Sequence, residues 1–207
     1  ILQEDEEVGN KKVLRMVQIA LFIAIIFIMT FTPLGYLRLG LLEISLLTIP
    51  VGVGAMIFSP AAGAVLGLSF GLISFARFFG MNPFGAVLVG INPFYAFLVA
   101  VPTRTLMGFL TGVIFRALSK GGSAKTARYY IGGFCAPFLN TVFFMGVMVL
   151  CYWNTEYFQN LNSTMGNLNP LMFICAFVGV NAVVEILAGS VVGGTVAKIL
   201  HKALKNT

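Results

Sequence analysis

The chain has 207 residues, of which 58% are hydrophobic and only 10% charged, with a mean hydropathy of +0.95. A soluble domain carries about 25% charged residues and has no means of hiding so much apolar surface. That excludes a self-contained ATPase, a nucleic-acid-binding domain and most soluble enzymes, although the net charge is +6. At roughly 20 residues per crossing, the length allows about six membrane helices. The expected fold is therefore all-α, a six-helix transmembrane bundle. It follows a polar N-terminal tail at residues 1–12 and occupies residues 13–207 as one membrane domain.

The first apolar run, residues 13–30, is too long for a signal-peptide core and reads as a retained helix stopped at Thr32-Pro33-Leu34-Gly35. A loop with Arg38 and Glu43 follows. The second span, residues 46–58, is short and contains Pro50. Ser59-Pro60 then makes a tight turn into a third span at 61–78. The segment FFGMNPFGAVLVGINPF, rich in Gly, Asn and Pro, reads as a loop dipping back into the protein. The remaining spans are 93–118, 130–153 and 171–200, joined by the basic KGGSAKTAR and the polar NTEYFQNLNSTMGNLNP. No internal repeat supports an inverted-repeat transporter.

Ten of the 13 Lys and Arg residues gather at one side under this topology. They are Lys11, Lys12 and Arg15, then Arg116, Lys120, Lys125 and Arg128, and finally Lys198, Lys202 and Lys205. The positive-inside rule then puts both termini in the cytoplasm. A miscounted helix would split these residues between the two faces.

Several polar groups sit at membrane depth. Arg104, in VPTRTLMG, costs at least about 2.5–3.5 kcal/mol there and must face the interior with a partner. That partner is either Glu185 of the last span or the carboxylate of a bound ligand, and the two are compatible. Asn140 follows Pro137, which frees a carbonyl one turn back. It either bonds a neighbouring helix or faces a polar cavity. Asn181 and Glu185 are four apart and share a helix face. With Asn92 and Tyr95 at the start of the fourth span, these residues describe a small polar pocket in a Phe-rich surround. Small residues recur at four-residue spacing: Ala20 and Ala24; Gly63, Gly67 and Gly71; Gly189, Gly193 and Ala197. Such faces let helices approach closely. The alanines are equally suited to packing within the chain or to meeting another protein.

Other patterns carry no chemistry. Gly67-Leu68-Ser69-Phe70-Gly71 matches a nucleophile elbow, but the sole histidine, His201, lies in the basic tail. GGSAKT lacks the Gly-Lys pair of a phosphate loop. Cys135, Cys151 and Cys175 form neither a CxxC nor a Cys/His cluster, so no metal site is indicated, and no cofactor is implied.

Taken together, the first-helix AxxxA of Ala20 and Ala24, TPLGYLRLG, TIPVGVGAMIFSPAAGAVLGLSFGLIS, VPTRTLMGFLTG, the LNT around Asn140 and the late Glu185 resemble a known family. They are similar to the substrate-binding S components of energy-coupling factor (ECF) vitamin transporters, over nearly the whole chain from Lys11. Within it the chain looks most like the pantothenate-type branch, whose matching Arg and Asn, here Arg104 and Asn140, are implicated in the ligand. The resemblance implies a six-helix, multi-pass protein of the bacterial plasma membrane, in contact with lipid. It would bind one vitamin near the outer face, under loops between spans one and two, three and four, and five and six. It would have no ATPase of its own. It would dock through Ala20 and Ala24 on a membrane scaffold protein joined to two cytoplasmic ATPases. Riboflavin, pyridoxine, hydroxymethylpyrimidine or folate are alternative ligands. An autonomous carrier or channel, or a non-transporting membrane interaction protein, are alternative functions. Binding to nucleic acid is not expected.

Overall fold

The computed structural model describes residues 2–33, 35–39, 42–120 and 126–205. Leu34 of the first stop and the connection 121–125, with its Lys125, lie outside the described residues. Among the described residues the structure is helical apart from one hairpin and the connecting turns. Helix α1 covers Leu2–Thr30, so it begins well inside the stretch expected to be a polar tail.

The loop expected around Arg38 and Glu43 is instead a two-stranded antiparallel hairpin, β1 (Tyr36–Leu39) and β2 (Leu42–Ser45). Its register pairs Tyr36 with Ser45 and Arg38 with Glu43. Polar and apolar residues alternate along both strands, the period-two pattern of a half-buried strand.

Helices α2 (Thr48–Ile57), α3 (Pro60–Arg77), α4 (Pro83–Ile91) and α5 (Pro93–Lys120) follow. Helices α6 (Ala127–Tyr152) and α7 (Glu156–Thr164) come next. The chain then runs through α8 (Pro170–Ala188), a π-helical turn at Gly189–Gly193, and α9 (Gly194–Lys205). Two expected loops are thus partly helical, as α4 and α7. One device starts four of the helices: a capping side chain followed by proline at the first helical position. Ser59 accepts from the Ala62 N–H at 3.1 Å, Asn82 from Gly85, Asn92 from Phe94 at 3.0 Å, and Asn169 from Met172 at 2.8 Å.

Among the described residues, five helical stretches are long and apolar enough to cross a membrane: 12–30, 60–77, 93–120, 127–152 and 170–204. Helix α2 is apolar but shorter. The stretch in α1 is 11% buried, against 50% for α3 and α5, so most of α1 faces outward.

The bundle is set by α3 against α5. A Cβ at Gly63 would fall 2.3 Å from the Gly108 carbonyl oxygen, and one at Gly67 would fall 2.2 Å from that of Arg104. A Cβ at Gly71 would lie 2.8 Å from the Val101 Cα. Only hydrogen on these three turns permits backbone-to-backbone approach. Further along, Gly133 of α6 and Gly189 meet in the same way. The aromatic residues Tyr152, Phe158 and Phe173 pack at the opposite end from the basic residues of α9, beside α4.

Gly63→Val is expected to wedge α3 from α5, costing about 1–3 kcal/mol and lowering the melting temperature in detergent by about 5–10 °C. Gly146, with nothing within 4 Å of a built Cβ, is the contrast. Gly146→Ala should leave the melt unchanged or raise it by the equivalent of up to about 1 kcal/mol.

Candidate functional site

A cavity of about 90 Å³ lies between the hairpin and helices α3, α4, α5, α6 and α8. Four of the residues marked by sequence, Arg104, Asn140, Asn181 and Glu185, line it together. They come from three helices. Arg104 is placed by the glycine ladder of α3, which presses on its own carbonyl. Asn140 stands one turn beyond Pro137 in α6. Asn181 and Glu185 occupy one face of α8.

Asn92 and Tyr95 are not among the lining residues. The Asn92 side chain is used up in capping α5, accepting from the N–H groups of Phe94 and Tyr95. Its carbonyl accepts from the Tyr152 hydroxyl at 2.9 Å. Tyr95 is exposed and packs edge-on against Tyr152. An Asn-Pro pair is itself a helix-start signal, and here that is the role it fills.

Arg104 is buried, yet it makes no ion pair with Glu185. Its guanidinium donates to the Ala100 carbonyl at 2.9 Å, one turn back on its own helix. It lies between two rings, 4.7 Å from the Phe70 centroid and 5.0 Å from that of Phe144. Aromatic faces hold a cation without supplying a counter-charge. Glu185 turns the other way and accepts from the Ser45 backbone N–H at 2.7 Å. It thereby fastens the hairpin to α8.

The sequence reading missed the other half of the site. Tyr36, Glu43 and Ser45 share one face of the hairpin, and that face lines the cavity. Arg77, at the end of α3, pairs with Glu43 at 3.1 Å, and both side chains are 8% exposed. Asn82 donates to the same carboxylate oxygen at 2.9 Å. The Arg77 guanidinium lies 3.7 Å from the Tyr36 ring centroid, and the Tyr36 and Ser74 hydroxyls share a hydrogen bond of 2.9 Å. The signal was available in the strand-like alternation of YLRL and LEIS and in an arginine ending an apolar helix.

Buried polar atoms without partners are uncommon, and each one needs an explanation. Among the described residues, Ser45 Oγ, Arg77 Nε, Arg104 Nε, Arg128 Nε and Asn140 Oδ1 are buried without a hydrogen-bond partner, and all of these residues but Arg128 line this cavity. The residues around the cavity thus carry hydrogen-bonding groups that no other described residue satisfies. The space is wide enough for several waters, and is below the few hundred Å³ of a typical small-molecule site. A larger ligand requires its walls to move.

Ala20 and Ala24 are both exposed on α1, away from the cavity. His201 packs on Tyr129 near the other end of the bundle. Among the described residues no group of His, Cys, Asp and Glu could hold a metal ion.

Removing the Glu185 carboxylate should free the hairpin. Glu185→Ala is expected to cost about 1–3 kcal/mol through the stranded Ser45 N–H, and to speed proteolysis within residues 34–47. Glu185→Gln, whose amide oxygen still accepts, should cost less than half as much. Thermal melts and a proteolysis time course measure both.

The family model described as ECF transporter, substrate-specific component, matches residues 14–197. No curated protein matches the chain. Members of this family are membrane transport subunits that bind the substrate, and are not enzymes. With about nine-tenths of its length matched, this chain belongs to the substrate-specific components of ECF transporters.

Proposed function

We propose that this chain captures pantothenate for an ATP-driven importer of the bacterial plasma membrane, with the cavity around Arg104 as its binding site. The observation that carries the reading is the pair of orphaned atoms Arg104 Nε and Asn140 Oδ1, buried at the same cavity. A carboxylate suits the first, since a guanidinium edge binds it with charge-assisted hydrogen bonds. A hydroxyl or amide N–H suits the second. Pantothenate carries one carboxylate, one amide and two hydroxyls, and Tyr36, Ser45, Ser74 and Thr141 add hydroxyls to the wall.

The reading takes the short α2 as a sixth crossing, with both termini cytoplasmic and the cavity near the outer face. Lys12, Arg15, Arg116, Lys120, Arg128, Lys198 and Lys202 then share the cytoplasmic side, in keeping with the positive-inside rule. The three segments expected to cover the ligand are the hairpin, the α4 segment and the α7 segment. The hairpin and α4 contribute Tyr36, Glu43, Asn82 and Phe84 to the cavity, and α7 packs Phe158 on Phe84. Binding of a scaffold protein, itself carrying two ATPases, is assigned to the outward face of α1 around Ala20 and Ala24. Val17, Leu21 and Ile28 extend that face with exposed apolar surface.

Calorimetric titration of the purified protein with pantothenate tests the site. Arg104→Ala should weaken binding by about 2 kcal/mol, roughly thirtyfold, and Asn140→Ala by about 1 kcal/mol, roughly fivefold. Failure of pantothenate to bind the wild type rejects the substrate, and unchanged affinity in Arg104→Ala rejects the site. A reporter fused after residue 207 should be active only as a cytoplasmic form; activity of an exported form overturns the orientation. Ala20→Trp should reduce scaffold recovered with the chain about tenfold, equivalent to roughly 1.4 kcal/mol.

A further inference from the structure

Among the described side chains two guanidiniums line this cavity, and they are treated differently. Arg77 is committed: Glu43 pairs with it, and Asn82 binds the same carboxylate. Arg104 is held by a carbonyl and two rings and forms no ion pair among the described residues, while Glu185 is engaged by the hairpin backbone. Glu43 is not a residue of the helical bundle. It is delivered to Arg77 by the hairpin, across the connection between α1 and α2, and both side chains are almost wholly buried. A buried cation must be neutralised by something. Without Glu43, an anionic group of the ligand would do it.

We propose that Glu43 sets the charge of the ligand. By occupying Arg77 it leaves the Arg104 guanidinium to one anionic group, so the site takes a monocarboxylate and rejects a relative bearing a further anionic group. The pairing acts as an internal stand-in for a second ligand charge. A phosphorylated form of the same molecule would bring its phosphate into a cavity already carrying the Glu43 carboxylate. Like charges facing one another at a desolvated site cost several kcal/mol. An importer built in this way takes up the free vitamin and ignores its phosphate ester. The inference rests on reading the cavity as a pantothenate site.

The test is a ligand series of one shape and changing charge, titrated into the full-length chain in detergent: pantothenyl alcohol (neutral), pantothenate, and 4′-phosphopantothenate. In the wild type, pantothenate should bind tightest, at least about a hundredfold better than its phosphate. Glu43→Gln keeps an acceptor for Arg77 and Asn82 but removes a negative charge; it should narrow that gap at least about tenfold. Arg77→Gln moves the site the opposite way and should improve the alcohol relative to pantothenate at least about tenfold. The double variant should return both ratios toward the wild type. If one single variant fails to fold, the other still reads the direction of the shift. Wild-type binding of pantothenate with ratios unmoved in the folded variants overturns the role of Glu43 alone. A wild type that binds none of the three overturns both this inference and the reading of the site.

Discussion

A guanidinium enclosed in an apolar bundle has to be solvated by something, and in this protein that need organises the site. The bilayer offers no water to a buried polar group. Arg104 finds one carbonyl on its own helix and two aromatic faces, and its Nε is left over. Three other orphaned atoms belong to residues of the same walls, so the polar lining of the cavity is not satisfied by the described residues.

The position of that arginine follows from glycine. The ladder on α3 brings the two backbones together at Gly63, Gly67 and Gly71, and the middle contact falls on Arg104 itself. Packing and the placement of the cation are therefore one arrangement. A change that thickens α3 moves the cation as well as loosening the bundle.

Much of this was legible in the chain. The long apolar runs, the glycine spacing and the depth of Arg104, Asn140, Asn181 and Glu185 could be read directly, because each is a local pattern with a strong physical reason. The hairpin could not be read so easily. Eight strand residues in a membrane protein look like a loop, and their importance arises from contacts with α3 and α8, which are distant in sequence. Asn92 and Tyr95 misled for a different reason. Their residue types suit a ligand site, but the proline after Asn92 turns the amide into a helix cap. Of the two partners the sequence allows Arg104, Glu185 is not paired with it; that carboxylate accepts instead from a backbone N–H on the hairpin.

The π-helical turn at Gly189–Gly193 sits one step beyond Glu185 in the last membrane helix. A turn of this kind accommodates one residue more than an α-turn, which offsets the angular phase of everything after it by about 100°. A single uninterrupted helix would keep one stripe along its length. Here Glu185 can address the hairpin while Gly194 lies against Tyr130 and Ala197 is sealed among Val53, Met56 and Phe115. One rod thus serves two neighbours on different bearings.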